Sequence, residues 1–350
     1  MAALALAALA GCAQNETPSG SGADQLKGTV SGAGASSQSA AQEAWKAGFA
    51  AVSPDVKVNY DPVGSGSGRE QFQAGGLDFV GTDAAFKPED LTSLGSCAAG
   101  SGIVEIPVYI SPIVVAFNLE GVDSLNLTAA TIADIFTGKI TQWNDAAIQA
   151  DNPGVTLPDL KISPVHRSDP SGTSGNFTDY LAANAPEAWT FGETEEWPIE
   201  GGEGAEKTQG MVSALTAGNG SIGYVDAGQA KALSWASIKV GDEWVTPSAE
   251  GAAKAVAEST LETGRGEADL VYELNRATTA PGAYPLILVS YLAACEKYES
   301  ADQAKLVAAY LKYVTSKEGQ EAAAANAGSA PITSEEGLSA KVSAAVDRIG

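Results

Sequence analysis

Three short runs of glycine and hydroxyl residues share one grammar. Ser31–Ser37 (SGAGASS), Gly64–Gly68 (GSGSG) and Ser171–Gly175 (SGTSG) each follow an apolar, strand-like stretch and open a helix-like one. Glycine lets backbone N–H groups come close to a ligand. Serine and threonine add hydroxyl donors, and a helix N-terminus adds unpaired N–H groups and partial positive charge. The chemistry such a set performs is anion binding. Taken singly, each run is also an ordinary turn with an N-cap serine. Two charged residues make the set more specific. Arg167, one of five arginines, lies four residues before the third run. Its guanidinium could grip an oxyanion through two parallel hydrogen bonds, with Asp169 placed to hold it. As an isolated surface pair the two would contribute less than about 1 kcal/mol. Asp83 closes the stretch Leu77–Gly81, at the strand end where open α/β sheets bind ligands; helix or turn capping is its simpler role.

The elements that must position these residues alternate. Strands are expected at Leu26–Val30, around Val56, Val58 and Tyr60, at Leu77–Gly81, Ile162–Val165 and Ile222–Val225. Helices are expected at Ser39–Val52, Glu70–Ala74, Phe177–Ala183, Gln209–Thr216, Leu286–Tyr298, Ala301–Val314 and Glu318–Asn326. Ile103–Leu119 is very apolar but contains Glu105, Pro107 and Pro112, so it reads as two buried strands and not as a membrane span. The alternation predicts an α/β architecture with mostly parallel sheets. Gly201–Gly204 and Gly264–Gly266 read as surface loops, and Glu193, Glu195 and Glu196 as a solvated acidic loop.

With 350 residues the chain is long enough for one large or two medium domains. Its net charge is −23, from 43 acidic and 20 basic residues. That excludes nucleic acid and polybasic membrane contacts as expected partners. An anion site must then be local and strong, which screening beyond roughly 8 Å permits. The N-terminus MAALALAALAG is too short to span a bilayer. Leu9-Ala10-Gly11-Cys12 has the small-residue pattern of a bacterial lipoprotein cleavage site, and AQNETPSGSGA then forms a flexible tether. No basic residue precedes the apolar run, which departs from an export signal. Cys97 and Cys295 remain as a disulfide or as two free buried thiols. Two thiols and the sole histidine, His166, make no zinc site of the usual kind, so neither metal nor cofactor is expected.

The motifs GAGASS (Gly32–Ser37), VGSGSG (Val63–Gly68), DFVGTD (Asp78–Asp83) and HRSDPSGTS (His166–Ser174) resemble those of the periplasmic phosphate-binding proteins of phosphate ABC transporters, the PstS family. IFTGKITQWND (Ile135–Asp145), SIGYVD (Ser221–Asp226) and a helix start at Pro285–Leu292 support the likeness more weakly, and it runs from about Leu26 to the C-terminus. The resemblance implies a type II periplasmic-binding fold, two α/β lobes joined by a two-crossover hinge with the ligand cleft between them. Crossovers near Ser111 and Ala280 would give lobe one as 24–111 plus 281–350 and lobe two as 112–280, after a signal and tether at 1–23. It implies phosphate ligands Ser36, Ser37, Ser65, Asp83, Arg167, Ser171, Gly172 and Thr173, with Asp169 orienting Arg167. Ser36 replaces a usual threonine donor, and Ser37 an aromatic residue that donates only its backbone N–H, a change expected to affect packing more than binding. Ser67 and Pro170 stand where glycine is common, and Pro170 has no N–H to donate. The resemblance implies an exported protein that captures phosphate and delivers it to the membrane permease subunits of an ABC transporter; this chain is expected to be a monomer, lipid-anchored through Cys12.

The physics agrees with that likeness. Phosphate at neutral pH carries a proton that a buried carboxylate such as Asp83 can accept. Sulfate carries none and would leave that charge unpaired, at a cost of several kcal/mol. Other tetrahedral oxyanions, sulfate or molybdate, are the alternative ligands. A phosphatase or serine hydrolase would need a G-x-S-x-G elbow, which is absent, or His166 as base. A nucleotide P-loop fails because Gly64–Gly68 lacks the G-K-[ST] ending.

Overall fold

The computed structural model describes residues 26–332 and 337–350. Cys12 and the proposed signal and tether lie outside the described residues. Among those described, thirteen strands occur: β1 (Gly28–Gly34), β2 (Val56–Asp61), β3 (Phe79–Thr82), β4 (Ile103–Asn118), β5 (Leu125–Leu127), β6 (Ser163–Arg167), β7 (Glu203–Ala205), β8 (Ser221–Asp226), β9 (Ser234–Val240), β10 (Glu243–Val245), β11 (Thr260–Leu261), β12 (Tyr272–Glu273) and β13 (Ile287–Cys295). The main sheet runs β2-β1-β3-β13-β4-β8-β6-β7, with β9, β5 and β10 branching from β4, while β11 and β12 pair separately.

β4 joins the two halves. Ile103–Pro112 pairs antiparallel with β13, and Ile113–Asn118 pairs antiparallel with β8. Around it, β1 is parallel to β2 and β3, and β6 is parallel to β7 and β8. The sheet is therefore mixed, not mostly parallel. The expected break inside Ile103–Leu119 does not occur. Pro107 and Pro112 are accommodated within one continuous strand whose pairing with β13 slips by one residue between Ser290 and Tyr291. The expected helix at Leu286–Tyr298 is instead β13, buried along its whole length. A strand covered on both faces shows no alternation, so its apolar run carries no period that distinguishes it from a buried helix.

The helices follow their apolar spacing more faithfully. Ser39–Val52 buries Ala41, Ala44, Trp45 and Phe49 on one face, and Phe49 meets Tyr310 of the helix Ala301–Thr315 edge-on. The helices Ser65–Gln73 and Gly172–Asn184 begin earlier than expected, inside the Gly/Ser runs themselves. The first run is not a loop: β1 continues through Ser31 to Gly34, and a 3-10 turn at Ser36–Gln38 leads into the helix. Glu203–Ala205, partly within an expected surface loop, pairs with β6. Cys97 and Cys295 are joined by a disulfide.

Candidate anion-binding site

All three Gly/Ser runs end at the C-terminal ends of parallel strands, where helix N-termini face one cleft. Ser171 is the N-cap of the third helix, its Oγ accepting from Ser174 N at 3.3 Å. Ser36, Ser37, Ser65, Asp83, Arg167, Ser171, Gly172 and Thr173 are all buried.

Asp83 is the meeting point. Ser37 Oγ lies 2.8 and 2.7 Å from its two carboxylate oxygens. Thr173 Oγ1, from the helix Gly172–Asn184, donates to Oδ2 at 3.0 Å. Ser65 Oγ accepts from the Asp83 backbone N–H at 3.1 Å, and Asn176 Nδ2 donates to the Asp83 carbonyl at 2.7 Å. Gly172 packs so closely that a Cβ there would stand 2.8 Å from Asp83 Cβ. The Ser37 side chain thus bonds the central carboxylate, a contact that the expectation of a packing change did not include. Ser36 turns elsewhere, its Oγ 3.0 Å from Thr208 Oγ1 and accepting from Thr208 N at 3.1 Å.

Arg167 is held by Asp169 through Nε, at 2.7 Å, and through Nη2. A guanidinium has five N–H groups, so three are left for an anion. Lys207, the one non-glycine residue with positive φ (60°) among those described, donates its N–H to Asp169 Oδ1 at 3.0 Å. Burial pushes the Asp169 carboxyl up, but the hydrogen bond and charge of Arg167 hold it below the ordinary carboxylate value. Asp83 goes the other way. Burial raises it, and the hydrogen bonds from Ser290, Ser37 and Thr173, then the charge of Arg167, pull back only in part.

Several contacts carry no sequence signal of the kind used above. Thr208 opens the helix Lys207–Ala217 without a glycine run, and Gln229 Nε2 donates to the carbonyls of Ser36 and Ser37 at 2.8 and 3.0 Å. Ser290 lies inside β13, and its Oγ is 2.5 Å from Asp83 Oδ1. Glu195, expected in a solvated acidic loop, pairs with Arg69 at 2.6 Å.

A cleft between two α/β lobes, lined by the Arg167 guanidinium, the Asp83 carboxylate and a ring of hydroxyls, defines a periplasmic-binding type of protein. The chain matches the family model of a PBP superfamily domain over residues 19–318. It is 35% identical to the phosphate-binding protein PstS of Xylella fastidiosa, over 83% of this chain and 79% of that one. It is 34% identical to the phosphate-binding protein PstS 2 of Mycobacterium tuberculosis, over 97% and 95% of the two chains. Among solved structures it resembles a high-affinity periplasmic phosphate-binding protein (PfluDING) bound with phosphate, at a TM-score of 0.73 and 20% identity, covering 91% and 93%. The chain belongs to the PstS family of phosphate-binding proteins.

Proposed function

We infer that this chain captures inorganic phosphate in its cleft and hands it to a membrane ABC importer. The observation that carries the reading is the pairing, in one buried cleft, of an Arg167 guanidinium tied to Asp169 with an Asp83 carboxylate ringed by hydroxyls. Arg167 is the charged donor. Ser65 and Ser171 offer hydroxyls, Ser37 and Thr173 do so on turning from Asp83 and Ser36 on turning from Thr208, Gly172 offers its N–H, and Asp83 takes the proton that phosphate brings. A carboxylate has about four lone-pair sites; with Ser290 on Oδ1, and Ser37 and Thr173 turned from Asp83 to the anion, Oδ2 is open to the guest's proton.

Closure follows from differential contacts. The lobes are proposed as 24–111 plus 281–350 and 112–280, crossing at β4 near Ser111 and again near Ala280. The segment around Ala268–Leu270 reaches back to Glu105 of the first lobe through backbone hydrogen bonds of 2.9 and 2.7 Å.

The reading is of a binding protein and not an enzyme. The only histidine has its ring nitrogens 2.9 and 3.1 Å from the carbonyls of Arg167 and Gly201 and stacks on Trp197, so it is not presented to Ser171 as a base. We place the protein outside the cell membrane as a lipid-anchored monomer tethered through Cys12. No helix among the described residues is long and apolar enough to cross a membrane. Calorimetric titration at neutral pH with phosphate, then with sulfate, tests the function. Tight phosphate and weak sulfate binding is expected; equal affinity for both overturns it.

A further inference from the structure

Ser290 does not stand alone behind Asp83. It is fully buried, at the position where the pairing of β13 with β4 slips, and bulges beside binding sites re-aim side chains. Gln38 Nε2 lies 2.6 Å from Ser290 Oγ and 2.9 Å from the Tyr291 carbonyl. Gln42 Nε2 lies 2.9 Å from Gln38 Oε1, and Tyr310 OH lies 2.8 Å from Gln42 Oε1. The path is built: a Cβ on Gly81 would stand 2.7 Å from Gln38 Oε1.

The direction of this chain is forced at one point. A backbone carbonyl only accepts, so the end of Gln38 at Tyr291 must be its NH2. The second N–H of that group goes to Ser290 Oγ. Gln38 Oε1 must then accept from Gln42, and Gln42 Oε1 from Tyr310. Ser290, already accepting, gives its own proton to Asp83 Oδ1 at 2.5 Å, since its other acceptor, the Thr82 carbonyl, is 3.3 Å away. The Tyr310, Gln42, Gln38 and Ser290 donors make one buried path from the core to the carboxylate, with the second N–H of Gln38 on the Tyr291 carbonyl.

We propose that the Tyr310–Gln42–Gln38–Ser290 chain sets the anion selectivity of the site by holding Asp83 as a proton acceptor. The proposal rests on Asp83 being the carboxylate that faces phosphate. Ser37 and Thr173 also bond Asp83, but both are needed as donors to the anion. Ser290 remains with the carboxylate throughout. The hydrogen bond from Ser290 to Oδ1 favours the ionised carboxylate, whereas an Asp83 protonated on Oδ2 could donate to sulfate and admit it. The four residues are positioning residues, since none touches the anion. The other charged or titratable groups acting on Asp83 are Arg167, Asp226, Tyr60 and Tyr109, none of them a member of the chain.

Sulfate is fully ionised between pH 5 and 8, so its affinity over that range reports the protein's proton and not its own. Phosphate and sulfate dissociation constants are to be measured by calorimetry across this range for the unaltered chain, Ser290→Ala, Gln38→Met and Asp83→Asn. In Ser290→Ala and Gln38→Met, sulfate should bind about tenfold tighter, matching a tenfold gain in the proton affinity of Asp83. Its rise with falling pH should begin at higher pH, and phosphate should change less. Parallel weakening of both anions at an unchanged ratio overturns the proposal, because that is what a merely structural role gives. Gln38→Met carries the test if Ser290→Ala fails to fold. Should Asp83→Asn erase discrimination while the two chain variants keep it, the chain is idle and the site stands. Should Asp83→Asn also keep it, the site assignment itself falls.

Discussion

Arg69, in the helix Ser65–Gln73, meets Glu195, which follows the helix Gly172–Asn184 in the chain, with Nη2 2.6 Å from Oε1. The arginine is anchored on its own side as well, Nη1 donating to Thr82 Oγ1 at 2.8 Å and to the Ala84 carbonyl at 2.9 Å. In the proposed division into lobes the pair forms only when the lobes are together, so it acts on closure and not on the anion. Both side chains keep some solvent contact, 15% and 20% exposed, which limits the pair to about 1 kcal/mol. Glu195→Gln should therefore raise the phosphate dissociation rate about fivefold, with less effect on association, and high salt should shrink the difference. Stopped-flow release into a phosphate trap measures this. Equal release rates would mean the contact does not help hold the cleft shut.

Gly172 gives a steric test of the same closure. A methyl group there would stand 2.8 Å from both Asp83 Cβ and Ala84 N, backbone and stem atoms that cannot swing aside. Alanine is otherwise favoured over glycine in a helix. Gly172→Ala should leave the melting temperature without phosphate nearly unchanged while weakening phosphate binding at least about tenfold, the equivalent of 1.4 kcal/mol. Thermal melts paired with calorimetry separate the two effects, and unimpaired binding would place the lobes further apart than described.

Arg167→Lys asks what the fork geometry contributes. Asp169 engages Nε and Nη2 together, a planar match that an ammonium group cannot reproduce. Lysine keeps the charge but loses both the clamp and the bidentate grip, so phosphate affinity should fall about a hundredfold or more. Calorimetry reads this directly. A loss under threefold would show that net charge alone suffices.

The parts of the site that were legible in the sequence are those that break local rules. Glycine-hydroxyl runs at strand ends and a scarce arginine with a carboxylate two residues on are visible because their composition departs from their surroundings. Ser290 is not: it sits in ILVSYLAAC, where a serine amid apolar residues looks like tolerated packing, and the stretch itself reads as helix. Gln38 and Gln42 share the spacing of one helical turn and resemble any polar face until Tyr310, in a helix far along the chain, is brought against them. The mixed sheet was illegible for the same reason. β4 and β13 are buried on both faces and carry no period, and their antiparallel pairing joins residues nearly two hundred positions apart.

Glu105 allows a prediction about stability that does not involve the anion. It is fully buried in β4, with Phe86 N 3.2 and 3.3 Å from its oxygens and Arg265 Nη1 no nearer than 3.9 Å. Arg265 spends its closer contacts on Glu262 and Asp269, at 2.5 and 3.1 Å. Burial first, then the charge of Asp269, pushes Glu105 up from 4.5 to about 8. Between those values the folded chain holds a proton that the unfolded chain has lost, so stability declines as pH rises through the window and levels off above it. The slope is at most about 1.4 kcal/mol per pH unit for one group. Asp226, raised by burial to about 7, adds the same sign over a narrower range. Asp169, held low by Arg167, acts oppositely and only at acid pH, where stability is lost as its carboxylate is protonated. Glu105→Gln has no proton to lose and keeps an oxygen for Phe86 N, so its stability should fall less steeply between pH 5 and 8 and gain on the unaltered chain toward pH 8. Urea unfolding at each pH unit, without phosphate, gives the two slopes, and identical slopes would mean that Glu105 is already ionised in the folded protein.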